Sequence, residues 1–231
     1  MKKVCNRNML FAAILCLQLN VVAAFGQTVV KGSVKDNTGK PVSGVVVTDG
    51  AHFKTTDAQG NYVLNTDPAR YPMVYISTPA DYELPSKEGV ADGFYQYLDA
   101  KKSENQCNFV LTKRQKPADE FVYIAISDPQ VRNEKQLNRF RTETVPDRKQ
   151  TADSLKNFEI VGMGLGDLVW DAMNLYAPYR QAVSNLGITM FQLMGNHDFN
   201  LLYKSMTQTD HPADGYGEQN YYQSFGPANY S

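Results

Sequence analysis

Histidine, cysteine and tryptophan are scarce in this chain, whose 231 residues include three, three and one of them respectively. Cys5 and Cys16 fall in the first 26 residues, which read as a removable leader, so only Cys107 is left in the body of the protein. A lone cysteine closes no internal disulfide, which excludes a disulfide-stapled fold. An excess of positive charge is lacking too. Lys and Arg number 23 against 24 Asp and Glu, and losing Lys2, Lys3 and Arg7 with the leader leaves 20 against 24, near −4. Nothing here advertises a basic surface for nucleic acid. Long apolar runs are also missing. The nearest candidate, Met9 to Leu19, is short for a bilayer and is interrupted by Gln18 and followed by Asn20, so no stable membrane span is expected once the leader is gone.

What is present at the amino terminus has the layout of a secretory signal. Lys2, Lys3 and Arg7 precede the apolar stretch, and the small residues of Val22-Ala23-Ala24-Phe25-Gly26 follow it. Leu15 before Cys16 is larger than a lipoprotein signal favours, which puts cleavage near Ala24 or Gly26 and assigns residues 1–26 to a signal peptide. The protein is expected to be exported, with a short lysine-rich leader favouring a bacterial periplasm over other exported locations. The remaining composition is that of an ordinary soluble globular chain of one or two domains.

Residues 27–112 read as a β-sandwich domain, built of short strands between closely spaced turn signals. Val29 to Lys35 alternates and Asp36-Asn37-Thr38-Gly39 turns the chain. Val45 to Thr48 and His52 to Thr55 flank the hairpin signal Asp49-Gly50. Asn61 to Leu64, Met73 to Ser77, Phe94 to Tyr97 and Phe109 to Leu111 supply further strands, with a long excursion between Thr78 and Asn108. The aromatics of that excursion either fill the core or line a sugar-binding surface. His52 reads as a half-exposed strand residue. The pattern of Gly-Xaa-Pro-Val-Xaa-Gly-Val at Gly39 to Val45 and Thr56-Asp57-Xaa-Xaa-Gly60-Xaa-Tyr62 resembles carboxypeptidase-regulatory-like, or prealbumin-like, sandwich domains. Residues 113–119, charged and containing Pro117, read as a linker.

From residue 120 the pattern changes to α/β. Three apolar runs, Phe121 to Ile126, Glu159 to Leu165 and Ile188 to Met194, each stop at a polar turn: Ser127-Asp128-Pro129-Gln130, Gly166-Asp167 and Gly195-Asn196-His197-Asp198. The intervals between these turns leave room for crossover helices, as parallel strands require. In open α/β sheets ligands bind at the carboxyl ends of the strands. Carboxylates, an amide oxygen and an imidazole gathered there suit a divalent cation beside a proton donor. Val131 to Thr144 reads as a polar loop over the site, Pro146-Asp147 as a helix start, and Tyr176, Tyr179, Val183 and Leu186 as a helix ended by Gly187. Gly162, Gly164 and Gly166 do not form a dinucleotide fingerprint, because Asp167 stands where the helix should begin.

Asp, Gly-Asp and Gly-Asn-His-Asp in that order resemble the calcineurin-like metallophosphoesterase family, over residues 120–231. The resemblance implies an exported enzyme that hydrolyses phosphate mono- or diesters through a hydroxide activated by two divalent metal ions, such as Mn, Fe or Zn. It implies metal-binding roles for Asp128, Gln130, Asp167 and Asn196, with Asp167 bridging. His197 would stabilise the transition state or protonate the leaving group, and Asp198 would orient His197. Asp171 and Asn174 are near enough in sequence to support the metals or substrate, or are simply loop polarity. Gln130 stands where the family has histidine, so it either binds a metal weakly or orients a water.

The family's later histidine motifs have no counterpart here, since His211 sits in a turn context, Asp210-His211-Pro212. The stretch from Tyr221 to Ser231 resembles the lead-in to the family's next strand pair, so residues 120–231 are expected to be the front portion of a longer domain, a fragment or truncated product with little turnover alone. The other reading is a non-catalytic secreted protein whose sandwich binds a glycan or protein partner beside a remnant phosphoesterase half.

Overall fold

The computed structural model describes residues 27–115, 120–199 and 218–228. The leader residues 1–26, linker residues 116–119 and His211 lie outside the described residues. Strand β1 (Thr28–Asp36) buries alternate residues, as its sequence dictates, with Val30 and Val34 facing inward. β2 (Val46–Thr48), β3 (Phe53–Thr55), β4 (Asn61–Thr66) and β5 (Met73–Ile76) follow within a residue or two of the expected runs. Next come β6 (Ser86–Lys87) and β7 (Val90–Ala91), then β8 (Tyr95–Tyr97), β9 (Glu104–Gln106) and β10 (Phe109–Leu111).

Two four-stranded sheets face each other. In one, β1 lies between antiparallel β4 and a parallel edge made by β9 and β10 in succession. The other runs β3-β2-β5-β8, antiparallel throughout. Their inner faces share a core of Val30, Val34, Leu64, Val74, Phe109 and Leu111. Cys107 crosses between β9 and β10, where a Cβ on Gly32 would fall 1.6 Å from its carbonyl oxygen. Burial pushes the Cys107 thiol up to about 11, which keeps it protonated and unreactive near neutral pH.

The β2–β3 turn is held by a buried carboxylate. Asp49 accepts from the amides of Ala51 and His52 at 2.9 and 2.7 Å, from the Thr66 hydroxyl, and contacts His52 Nδ1 at 2.9 Å. His52 therefore has a carboxylate partner within the turn. Burial pushes the Asp49 carboxyl up, but the bonds from Thr66 and His52 outweigh it and hold the group below the usual carboxylate range. A carboxylate depressed in the folded state adds stability above its unfolded value, near 4, and loses it as pH falls through the folded value. We expect Asp49→Asn to cost about 1–3 kcal/mol at pH 6, and the thermal midpoints of wild type and variant to converge on acidification below pH 4.

The third sheet is built on β11 (Phe121–Ile126), β12 (Glu159–Leu165) and β13 (Thr189–Leu193), all parallel. The order is β11-β12-β13-β7-β6, so the excursion from the sandwich adds a hairpin to this sheet. Glu88 and Gly89, at φ 52° and 71°, make the two-residue turn that closes it. Two-residue strands carry too little alternation to announce themselves in sequence. The sandwich supplies them because Val90 is buried beside Met190, whose amide donates to the Gly89 carbonyl at 2.9 Å.

The segment after β11 is helical rather than a loop over the site. Asn133 caps α1 (Glu134–Arg139), accepting from the Gln136 amide at 3.0 Å. The helix continues through a π-helical turn (Phe140–Thr144) into α2 (Val145–Ser154). Buried Leu137, Phe140 and Val145 are spaced by three and then five residues. The wide π turn absorbs the longer step, which is why the sequence looked only loosely periodic. Between β12 and β13 a 3₁₀ turn (Met173–Leu175) leads into α3 (Tyr176–Ser184), and Gly187 at φ 71° follows as expected. The tyrosine-rich stretch at 219–225 forms α4 (Gln219–Phe225). Leu137, Phe140, Tyr179, Val183, Tyr221 and Phe225 form a core with Met190 on one face of the sheet.

On the other face, Phe191 packs on Phe94 of the sandwich at 5.7 Å, while Phe121, Tyr123 and Leu165 are exposed among the described residues. Arg180 of α3 reaches Asp92 at 3.1 Å and the Ser224 carbonyl, and Arg114 pairs with Glu159 at 2.7 Å, tying sandwich and sheet together. No helix among the described residues is long and apolar enough to cross a membrane.

Candidate active site

The carboxyl ends of β11, β12 and β13 meet through backbone pairing that continues past the strands. Gln130 donates its amide to the Asp167 carbonyl at 2.8 Å, and Trp170 donates to the Val131 carbonyl at 3.0 Å. Asp128, Gln130, Asp167 and Asp171 all have positive φ, between 44° and 53°. Left-handed backbone costs such residues roughly 1–2 kcal/mol each. Among the described residues only one other non-glycine residue, Glu88 in the hairpin turn, shares it. Clustering of strained residues marks functional turns, where the surrounding structure enforces them.

Glycines let these turns touch. A Cβ on Gly195 would lie 2.1 Å from Asp167 Oδ1 and 2.2 Å from its amide nitrogen. Gly162 and Gly164 have a different task, leaving room for Met190 and the Gln192 side chain of the neighbouring strand.

Asp167 is buried and central. Its Oδ2 accepts from Gln130 Nε2 at 3.1 Å and its Oδ1 from the His197 amide at 3.0 Å, so groups from all three strand ends meet on one carboxylate. Asp128 is exposed and accepts from the Ser127 hydroxyl; Asn196 is exposed on the rim, as is Asn174.

The partner of His197 is not the residue expected. His197 Nδ1 lies 2.9 Å from Asp171 Oδ2, a pair whose side chains are both largely buried. That contact keeps a proton on Nδ1 and leaves Nε2 to exchange one. Trp170 stacks on the imidazole at 3.6 Å and 20°. Asp198 instead turns inward, fully buried. It accepts from the amides of Gly195 at 2.8 Å, Leu168 at 3.2 Å and Val169 at 3.4 Å, and from the Tyr176 hydroxyl at 3.1 Å. Burial pushes its carboxyl up to about 6, against the lowering effect of those donors. Asp198 therefore fixes the turn that carries His197 and does not orient its ring. The adjacency of Asp198 in sequence favoured it, but a residue next to His197 on a tight turn points the other way, and Asp171 arrives from the neighbouring loop.

Residues 28–114 match a family model, the N terminal of calcineurin-like phosphoesterase. The match covers less than half of the chain and falls on the sandwich, whereas the three polar turns lie beyond it. It supports the phosphoesterase family independently of the motifs at Asp128, Asp167 and Asn196. No curated protein matches the chain.

Among the described residues no three His, Cys, Asp or Glu side chains cluster as metal ligands. The residues expected to bind metal are two carboxylates, Asp128 and Asp167, and two amides, Gln130 and Asn196, of which the structure brings Gln130 and Asp167 into direct contact, while Asp128 and Asn196 are exposed. The Gln130 amide already sits against Asp167 Oδ2, and rotating it would present its oxygen in place of nitrogen. Such donors fit a hard cation such as Mg²⁺ or Mn²⁺ better than Zn²⁺.

Proposed function

We propose that this protein is an exported, metal-dependent phosphoesterase acting on phosphate mono- or diesters. The observation that carries the reading is the meeting of Gln130, His197 and Asp167 at three parallel strand ends, and the family match of the sandwich supports it. Two divalent cations would be held by Asp128, Gln130, Asp167 and Asn196. When bound, they would neutralise phosphate oxygens and lower the pKa of a water.

The chain's own part is positioning and proton handling. The Asp167 carboxylate, anchored by the His197 amide, keeps the turns after β12 and β13 at fixed separation. His197, with Nδ1 held by Asp171, offers Nε2 to the leaving-group oxygen, and Trp170 covers one face of the ring against water. Export rests on the leader-like residues 1–26.

The test is cation binding by calorimetry. Mn²⁺ or Mg²⁺ should bind the protein, and Asp167→Asn should weaken binding by at least tenfold, on the order of what lost metal-site groups cost. Binding indifferent to both Asp128→Asn and Asp167→Asn would remove the metal site and the phosphoesterase reading with it.

A further inference from the structure

Arg132 has no part in the scheme above, yet its placement is specific. Its guanidinium lies 3.8 Å from the centre of the Trp170 ring, whose stacking with His197 is at 3.6 Å. Two planar groups cannot share one face at those distances, so Trp170 is sandwiched between arginine and histidine. The backbone below is rigid: Val131 is buried and bridges Val169, and the Arg132 amide donates to Gln136 Oε1 at 2.8 Å.

Arg132 faces a cleft of about 500 Å³ that also contains Asp128, Gln130, Gln136, Arg139 and Glu143. Two of its four charged residues pair with each other, and Arg132 is its one cation without a carboxylate partner among the described residues. Arg139 pairs with Glu143 at 2.9 Å and Asp128 takes the Ser127 hydroxyl. A guanidinium stacked on an aromatic face keeps its in-plane N–H fork free for an oxyanion, and that fork matches phosphate in a bidentate manner.

We propose that Arg132 binds a second phosphate on the substrate, so that the preferred substrates are bisphosphorylated alcohols: one phosphoryl group at the Asp128 and Gln130 end of the cleft, the other on Arg132. This rests on the phosphoesterase reading and adds the substrate class to it. Trp170, the chain's only tryptophan, reports binding directly through its fluorescence, without any need for turnover.

The experiment titrates the full chain, with Mg²⁺ at constant ionic strength, with butyl phosphate and with a series of alkanediol bisphosphates of increasing length. The best bisphosphate should bind about tenfold or more tightly than the monophosphate. Arg132→Ala should abolish that preference while leaving butyl phosphate binding in place, Arg132→Lys should restore part of it, and Arg139→Ala should leave it intact. Equal binding of mono- and bisphosphates by wild type, or a preference that survives Arg132→Ala, overturns the subsite alone. Failure of both ligand classes to bind overturns the phosphoesterase reading and the subsite together.

Discussion

Asp198→Ala is expected to destabilise the fold by about 3–5 kcal/mol, because one fully buried carboxylate serves three backbone amides and a tyrosine hydroxyl. Each buried donor left without an acceptor costs roughly 1–3 kcal/mol. Those amides belong to two turns, at Leu168-Val169 and at Gly195, so their release should loosen both at once. Tyr176→Phe, which removes one of the four donors and leaves the carboxylate in place, should cost closer to 1 kcal/mol. Guanidinium unfolding of the two variants separates the outcomes. Equal small losses would mean that Asp198 does not brace the turns, and a loss of activity without a loss of stability would return it to a chemical role.

Gly195→Ala should be nearly as damaging, for a steric reason. The added methyl would sit 2.1 Å from Asp167 Oδ1 and 2.2 Å from its backbone nitrogen, and the backbone atom cannot swing away as a side-chain tip could. The turn after β13 must retreat from the turn after β12, which breaks the 3.0 Å bond from the His197 amide to Asp167. Forced overpacking of this kind costs about 1–3 kcal/mol in stability, and the separated turns should also lose cation affinity by more than tenfold. Gly39→Ala is the contrast. Its φ is 86° but nothing lies within 4 Å of the new methyl, so it should show only backbone strain, roughly 1–2 kcal/mol, with metal binding intact. If the two alanine variants behaved alike, close approach at Gly195 would not be what holds the site together.

Both predictions concern how two turns touch, and this is the part of the protein that the sequence conveyed least well. Strands were readable where they are long enough to show their period. β1 alternates over nine residues and β11, β12 and β13 appear as apolar runs cut off by polar turns. The β6–β7 hairpin, two residues per strand, carried no such signal and is recruited by the exposed edge of β13. The helix from Glu134 to Ser154 was hidden by its own π turn, which shifts the buried positions out of a 3.6-residue repeat. Trp170 and Arg132 carried no motif at all; Trp170 joins the site by stacking on His197, and Arg132 by stacking on Trp170.

The three polar turns and their order are properties of the sequence, because strand ends follow from where apolar residues stop, and Gly166, Gly195 and the acidic residues beside them can be read directly. Which carboxylate serves His197 was decided by tertiary structure. Asp198 and His197 are neighbours along the chain, but on a tight turn adjacent side chains diverge, one toward the core and one toward the cleft. Asp171 reaches the imidazole because left-handed residues at 167 and 171 bend its loop back across the sheet edge. The direction of such a bend depends on what packs beneath it, here Tyr176 and the buried Asp198 carboxylate, and no local pattern of residues encodes that.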